Sequence, residues 1–183
     1  MVGHFGEPGG PSARALSDVA GAMRAEWRDE QEQATADAAA QWRHNRTLTD
    51  WFDARMNAGD RIEVMVGGQR FAGFVEEVGR DLLGLRCAFG RVDVHIIPGV
   101  ALLITIADKA TTGGVSARAH RTFADALRAR DGHPDSTVGT LHDPEGLDGA
   151  LWVGADFVSV VAKLGRESVV PNDNILWVSA RRG

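Results

Sequence analysis

The sequence predicts an α+β, mainly β protein with two tandem small five-stranded barrels, each preceded by a short helix, and a long N-terminal amphipathic helix ahead of both. Three observations predict it. Apolar residues recur at helical spacing before residue 45, they alternate at strand spacing between residues 61 and 106, and a helix-then-strands pattern restarts after residue 121. At 183 residues, 44% of them hydrophobic, the chain has apolar surface for one sizeable core or two small ones.

Residues 1–11 hold Gly3, Gly6, Pro8, Gly9, Gly10 and Pro11, too little apolar surface for order on their own, and read as a disordered tail. Over 12–45 the only glycine is Gly21, and Leu16, Val19, Ala20, Met23, Trp27, Ala34, Ala38 and Trp42 form one apolar stripe, the signature of an amphipathic helix. The stripe is thin and rich in alanine, so the helix is expected to dock on something else.

The first helix-plus-barrel unit spans 46–107. Thr47 caps a short helix, Asp50 three residues on favours its positive end, and Trp51, Phe52 and Met56 face inward. Gly59 supplies the left-handed residue that stops it. Ile62, Val64 and Val66 then alternate with Arg61, Glu63 and Met65, Gly67-Gly68 turns the chain, and Phe71–Val78 returns. Three further strands read as Leu82–Ala88, Arg91–Ile97 and Val100–Ile106, and strands this short with tight turns are expected to close on themselves.

Residues 108–120 read as a polar linker, and 121–183 as the second unit. Thr122 and Asp125 repeat the cap, Phe123, Ala126 and Leu127 the inward face, and Gly132 the stop. Laid without gaps on 153–169, residues 78–94 pair Val78 with Val153, Gly79 with Gly154, Asp81 with Asp156, Gly90 with Gly165, Arg91 with Arg166 and Val94 with Val169. Further on, Pro171–Val178 answers Pro98–Leu103. A repeat this long implies duplication of a whole small domain.

Composition narrows function. The formal charge is −5 and no segment is basic on balance, which argues against a general nucleic-acid coat. No run approaches the roughly 18 apolar residues of a membrane span, and the N-terminus, with His4, Glu7 and Pro8, lacks a basic-then-apolar signal pattern, so a cytoplasmic protein is expected. A sole cysteine, Cys87, allows neither an internal disulfide nor a thiolate zinc site, and its apolar neighbours predict a buried, inert thiol. Arginine outnumbers lysine, and alanine is abundant, as in a GC-rich bacterial coding bias.

A helix followed by bent strands, with Gly73 inside the second and Val78-Gly79-Arg80-Asp81-Leu82-Leu83 entering the third, resembles the Sm-like (SH3-like) small barrel of Sm, LSm and Hfq proteins. Ile96-Ile97-Pro98-Gly99-Val100-Ala101-Leu102-Leu103 is similar to the turn between strands four and five of that fold, and Gly90-Arg91-Val92-Asp93-Val94-His95 is similar to wording in uncharacterised actinobacterial proteins. The resemblance covers about 47–106 and, more faintly, 122–180. It implies a place in RNA metabolism. Two departures weaken that implication: Asp81-Leu82 stands where the family carries a polar Asn, and Pro98 where it carries an Arg, so neither RNA contact carries over.

Asp93 and His95 share a strand face and His142-Asp143 a loop, but one carboxylate and one imidazole are half a metal or acid–base site, and no third ligand stands at recognisable spacing. No cofactor and no enzymatic activity are expected. Asp81 and Asp156 read as turn carboxylates. Arg86, Arg91 and His95 on neighbouring strands, with Arg166 in the place of Arg91 in the second unit, are the candidate binding residues for phosphate. The tryptophans Trp27, Trp42, Trp51, Trp152 and Trp177 read as core or docking anchors, with base stacking as the other use of an exposed one. Two functions follow: a non-enzymatic Sm-like adaptor associated with RNA or a ribonucleoprotein, or a protein-interaction scaffold that contacts its partner through the N-terminal helix. A homodimer is the expected assembly, since strand edges and an amphipathic helix are both left open.

Overall fold

A computed structural model describes residues 13–110 and 121–181. The tail at 1–11 and the linker from 111 to 120 lie outside the described residues. The chain divides into two compact units, one ending at Arg46 and one beginning at Thr47. The first contains the predicted long helix, α1 (Ala13–Asn45), on which Met23, Trp27 and Trp42 are exposed and the Arg46 guanidinium lies 4.9 Å from the centre of the Trp42 ring. Among the described residues no helix is long and apolar enough to cross a membrane.

The second unit opens with α2 (Leu48–Ala58). Its cap is as the sequence predicts: the Thr47 hydroxyl accepts the Asp50 N–H, and the Asp50 carboxylate accepts the Thr47 N–H. Gly59 ends the helix at φ 74°, and Phe52 and Met56 are buried. Five strands follow, β1 (Arg61–Val66), β2 (Gln69–Val78), β3 (Leu82–Cys87), β4 (Gly90–His95) and β5 (Leu102–Asp108). A second capped helix, α3 (Phe123–Arg128), repeats the capping box with Thr122 and Asp125, and it stops at Ala129 rather than at Gly132. Then come β6 (Ser136–Thr140), β7 (Leu147–Val153), β8 (Phe157–Val161), β9 (Glu167–Pro171), a single 3-10 turn over Asn172–Asn174 and β10 (Ile175–Arg181).

The two predicted barrels are not separate. All ten strands form one open antiparallel sheet in the order β5-β1-β2-β3-β4-β10-β6-β7-β8-β9. Within that sheet each half keeps the same internal order, its fifth strand beside its first. The halves join because β4 pairs with β10, Trp177 opposite Val94 and Ser179 opposite Val92, so the backbone groups on the outer edge of β4 are satisfied by the other half instead of by closure within their own. Period-two alternation is identical in a closed barrel and an open curved sheet, and so cannot distinguish them.

The cores interlock across this seam. Leu176 and Trp177 of β10 pack into the first cluster with Phe52, Val64, Phe71 and Val92, and the Trp177 ring meets Phe71 edge to face at 5.0 Å. In the other direction Leu82 of β3 packs into the second cluster with Phe123, Leu127, Leu151 and Val178. Gly73 and Gly149 mark where strands cross most closely: a Cβ would press on the Arg86 carbonyl at the first and on the backbone of Val161 and Ala162 at the second. Cys87 is buried, and burial pushes its thiol up to about 11.

Candidate functional site

Arg86 and Arg91 face each other across β3 and β4, but their charges are already used. Arg86 Nε donates to Glu76 at 2.7 Å, and its guanidinium lies over Phe74. Arg91 donates to Asp93 at 2.9 Å and, through a second nitrogen, to Glu77. Burial works against the Arg91 charge, yet Asp93 and Glu77 together hold its affinity for the proton above the usual value. Asp93, 1% exposed, also takes an ion pair from Arg130, whose own proton affinity is lowered because burial there outweighs Asp93. Arg121 reaches Glu77 at 3.3 Å. The half-site proposed from Asp93 and His95 is thus divided: Asp93 belongs to a carboxylate–arginine network that fastens the segments flanking α3 to the sheet.

His95 serves the same seam. Its ring stacks on Phe123 at 4.3 Å, Nδ1 lies 3.0 Å from the Ile175 carbonyl and Nε2 lies 3.7 Å from Asp81. Asp81 in turn accepts the Phe123 N–H, which is how a turn carboxylate caps the start of α3 from the other half. In the loop, Asp143 and His142 donate backbone N–H groups to the Thr140 hydroxyl. Among the described residues no group of three or more His, Cys, Asp or Glu is placed to hold a metal ion.

Arg166 does not occupy the place of Arg91. Cys87 pairs with Gly90 across the two-residue turn Ala88-Phe89, whereas Ala162 donates to the Arg166 carbonyl across Lys163-Leu164-Gly165. That turn is one residue longer, with Gly165 at φ 79° in the left-handed conformation. Glu167 therefore pairs with Val161 where Arg91 pairs with Arg86, and Arg166 sits at the turn, exposed. The four candidate binding residues do not converge on one phosphate-sized site.

What the second half offers instead is apolar. Across β7, β8 and β9, Trp152 pairs with Ser159 and Ser159 with Val169. Trp152 is 55% and Val169 61% exposed, and Phe157, on the same outer face, is 40% exposed. Ser159 lies between them, buried, donating its hydroxyl to Glu167. Separately, a cleft of about 430 Å³ opens between β6–β7 and the β8–β9 turn, lined among others by Thr137, Asp148, Lys163, Leu164 and Arg166. Leu164 at its lip is 98% exposed. Sequence reasoning placed Trp152 among core or docking anchors and did not single out Leu164. The available signal was alternation, since Leu151 and Trp152 cannot both face inward on one strand.

No protein-family model, no curated protein and no solved structure matches the chain.

Proposed function

We propose that the chain is a non-enzymatic protein-interaction module, with the outer face of β7–β9 as its contact surface and the cleft at the β8–β9 turn as a further contact point. The observation that carries this reading is that Trp152, Phe157 and Val169 present exposed apolar side chains on one face of β7–β9, the kind of surface that marks protein contacts. Exposed Trp27 and Trp42 on α1 offer a second, separate contact element. The RNA-associated reading draws less support: Arg86, Arg91 and His95 are spent on intramolecular partners, which leaves Arg166 and Lys163 as the bases of the cleft.

The test is site-specific photocrosslinking in cells with a photoreactive residue at position 152 or 164, and at position 70, on exposed Arg70 of β2, as the control. Discrete protein adducts at 152 and 164 that are missing at 70 are expected. Adducts to RNA, or the same pattern at all three positions, overturn the reading.

A further inference from the structure

The seam between the two halves is a template, and each end of the sheet carries one side of it unfilled. In the seam, the outer edge of β4 pairs with β10, and the row Glu77–Gly84–Asp93 across β2, β3 and β4 is covered by Arg121 and Arg130, which flank α3. At the far end, β9 stands where β4 stands but, among the described residues, has no strand beyond it. By strand pairing, Trp152–Ser159–Val169 is the row that corresponds to Glu77–Gly84–Asp93, and among the described residues of this unit its two outer members stay exposed.

The near end carries the complementary features. The strand β5 stands where β10 stands in its half, and among the described residues no strand pairs with its outer edge. Leu103 lies on the face of β5 turned away from its own core, as Trp177 does on β10; Trp177 is buried in the neighbouring half, whereas Leu103 is 58% exposed. The first helical residue after each capping threonine repeats the contrast. Phe123 is buried against His95 across the seam, while Leu48, its counterpart in α2, is exposed. Strand polarity is compatible as well: an antiparallel junction built like the seam brings the start of β9 alongside the end of β5, as the start of β4 lies alongside the end of β10.

We propose that copies of this chain join head to tail, β5 of one copy pairing with β9 of another so that the internal seam is repeated between chains, with α2 of the first copy laid over the Trp152–Val169 row of the second. This names the partner for the interaction reading above and rests on it. Because the two joining surfaces differ, the contact is heterologous, and each addition leaves one free β5 edge and one free β9 edge until the assembly closes.

Leu103→Lys blocks the β5 edge and Val169→Lys the β9 edge. Both positions are exposed in the single chain, so each variant is expected to keep the wild-type urea midpoint at the dilution where the wild type is itself a single chain. Light scattering after gel filtration, over about a hundredfold range of protein concentration, is expected to show wild-type assemblies larger than one chain that dissociate on dilution. Each variant alone is expected at the single-chain mass, and a mixture of the two at the mass of a 1:1 dimer, since one retains a β9 edge and the other a β5 edge. A wild-type chain that stays single throughout overturns the proposal, as do variants that still assemble alone or a mixture that stays single. Adducts to other proteins at position 152 with a single-chain wild type would leave the interaction module standing without self-assembly.

Discussion

The hairpin β3–β4 turns through Ala88-Phe89, and the hairpin β8–β9 through Lys163-Leu164-Gly165. Before and after these turns the sequences are alike enough to align without a gap, yet the extra turn residue shifts the pairing by one. Because side chains alternate faces along a strand, that shift decides which of them meet. In the first half, Arg91 reaches Glu77 and Asp93, and the row becomes an ion network fastened to α3. In the second half, Trp152 stands in the place of Glu77 and Val169 in that of Asp93, and the row is left apolar and open. The two halves therefore share strand order and caps but differ in the chemistry of this row: one is internal, the other exposed.

The largest difference between the halves is expected from Asp93→Ala. It leaves the Arg91 and Arg130 guanidiniums without their shared carboxylate, and loss of one partner from a buried ion network costs roughly 3–5 kcal/mol. Val169→Ala at the corresponding place should stay within about 0.5 kcal/mol, since the side chain is exposed. Urea unfolding of both variants checks this, and equal losses would break the comparison.

Gly73→Ala and Gly149→Ala sharpen it from the other side. Each places a Cβ against the backbone of the next strand, so similar losses of about 1–3 kcal/mol are expected in both halves. The caps should also behave alike, Thr47→Ala and Thr122→Ala each costing about 1 kcal/mol in the same assay.

The Asp125 carboxyl is held below its usual range by hydrogen bonds from the Thr122 backbone N–H and hydroxyl. With a depressed folded value, its contribution is present above the unfolded carboxyl's titration and is lost as pH falls through the folded one. The deficit of Asp125→Asn relative to wild type should accordingly shrink on acidification, as followed by thermal melts across the acid range. The smallest effect on stability concerns Cys87, where Ala162 stands in the other half. With its thiol pushed up to about 11, alkylation of the native protein at mildly alkaline pH should run at least about tenfold slower than in urea, as read by mass spectrometry.

Local features were legible in the sequence. Both threonine caps, the left-handed Gly59, the buried Ile62, Val64 and Val66, and buried Cys87 follow from side-chain chemistry within a few residues, and the structure realises each. The partner of β4 was not legible, because an edge strand and a central strand share the same alternation and only tertiary pairing separates them. The placement of Arg166 was missed for a related reason. Aligning Arg91 with Arg166 matched letters, whereas the pairing beyond a longer turn puts Glu167 there.

The strand β10 follows every other strand in the chain, yet it lies sixth of ten in the sheet. His95 at the end of β4 meets Ile175, 80 residues further along, so a chain emerging from the ribosome completes β1–β5 long before the strand that shields their open flank exists. Until then the outer edge of β4 lacks the strand that pairs with it in the complete sheet. Loss of residues 175–181 alone should accordingly uncover β4 and β6 in the middle of the sheet while β5 and β9, its rims, stay in the chain.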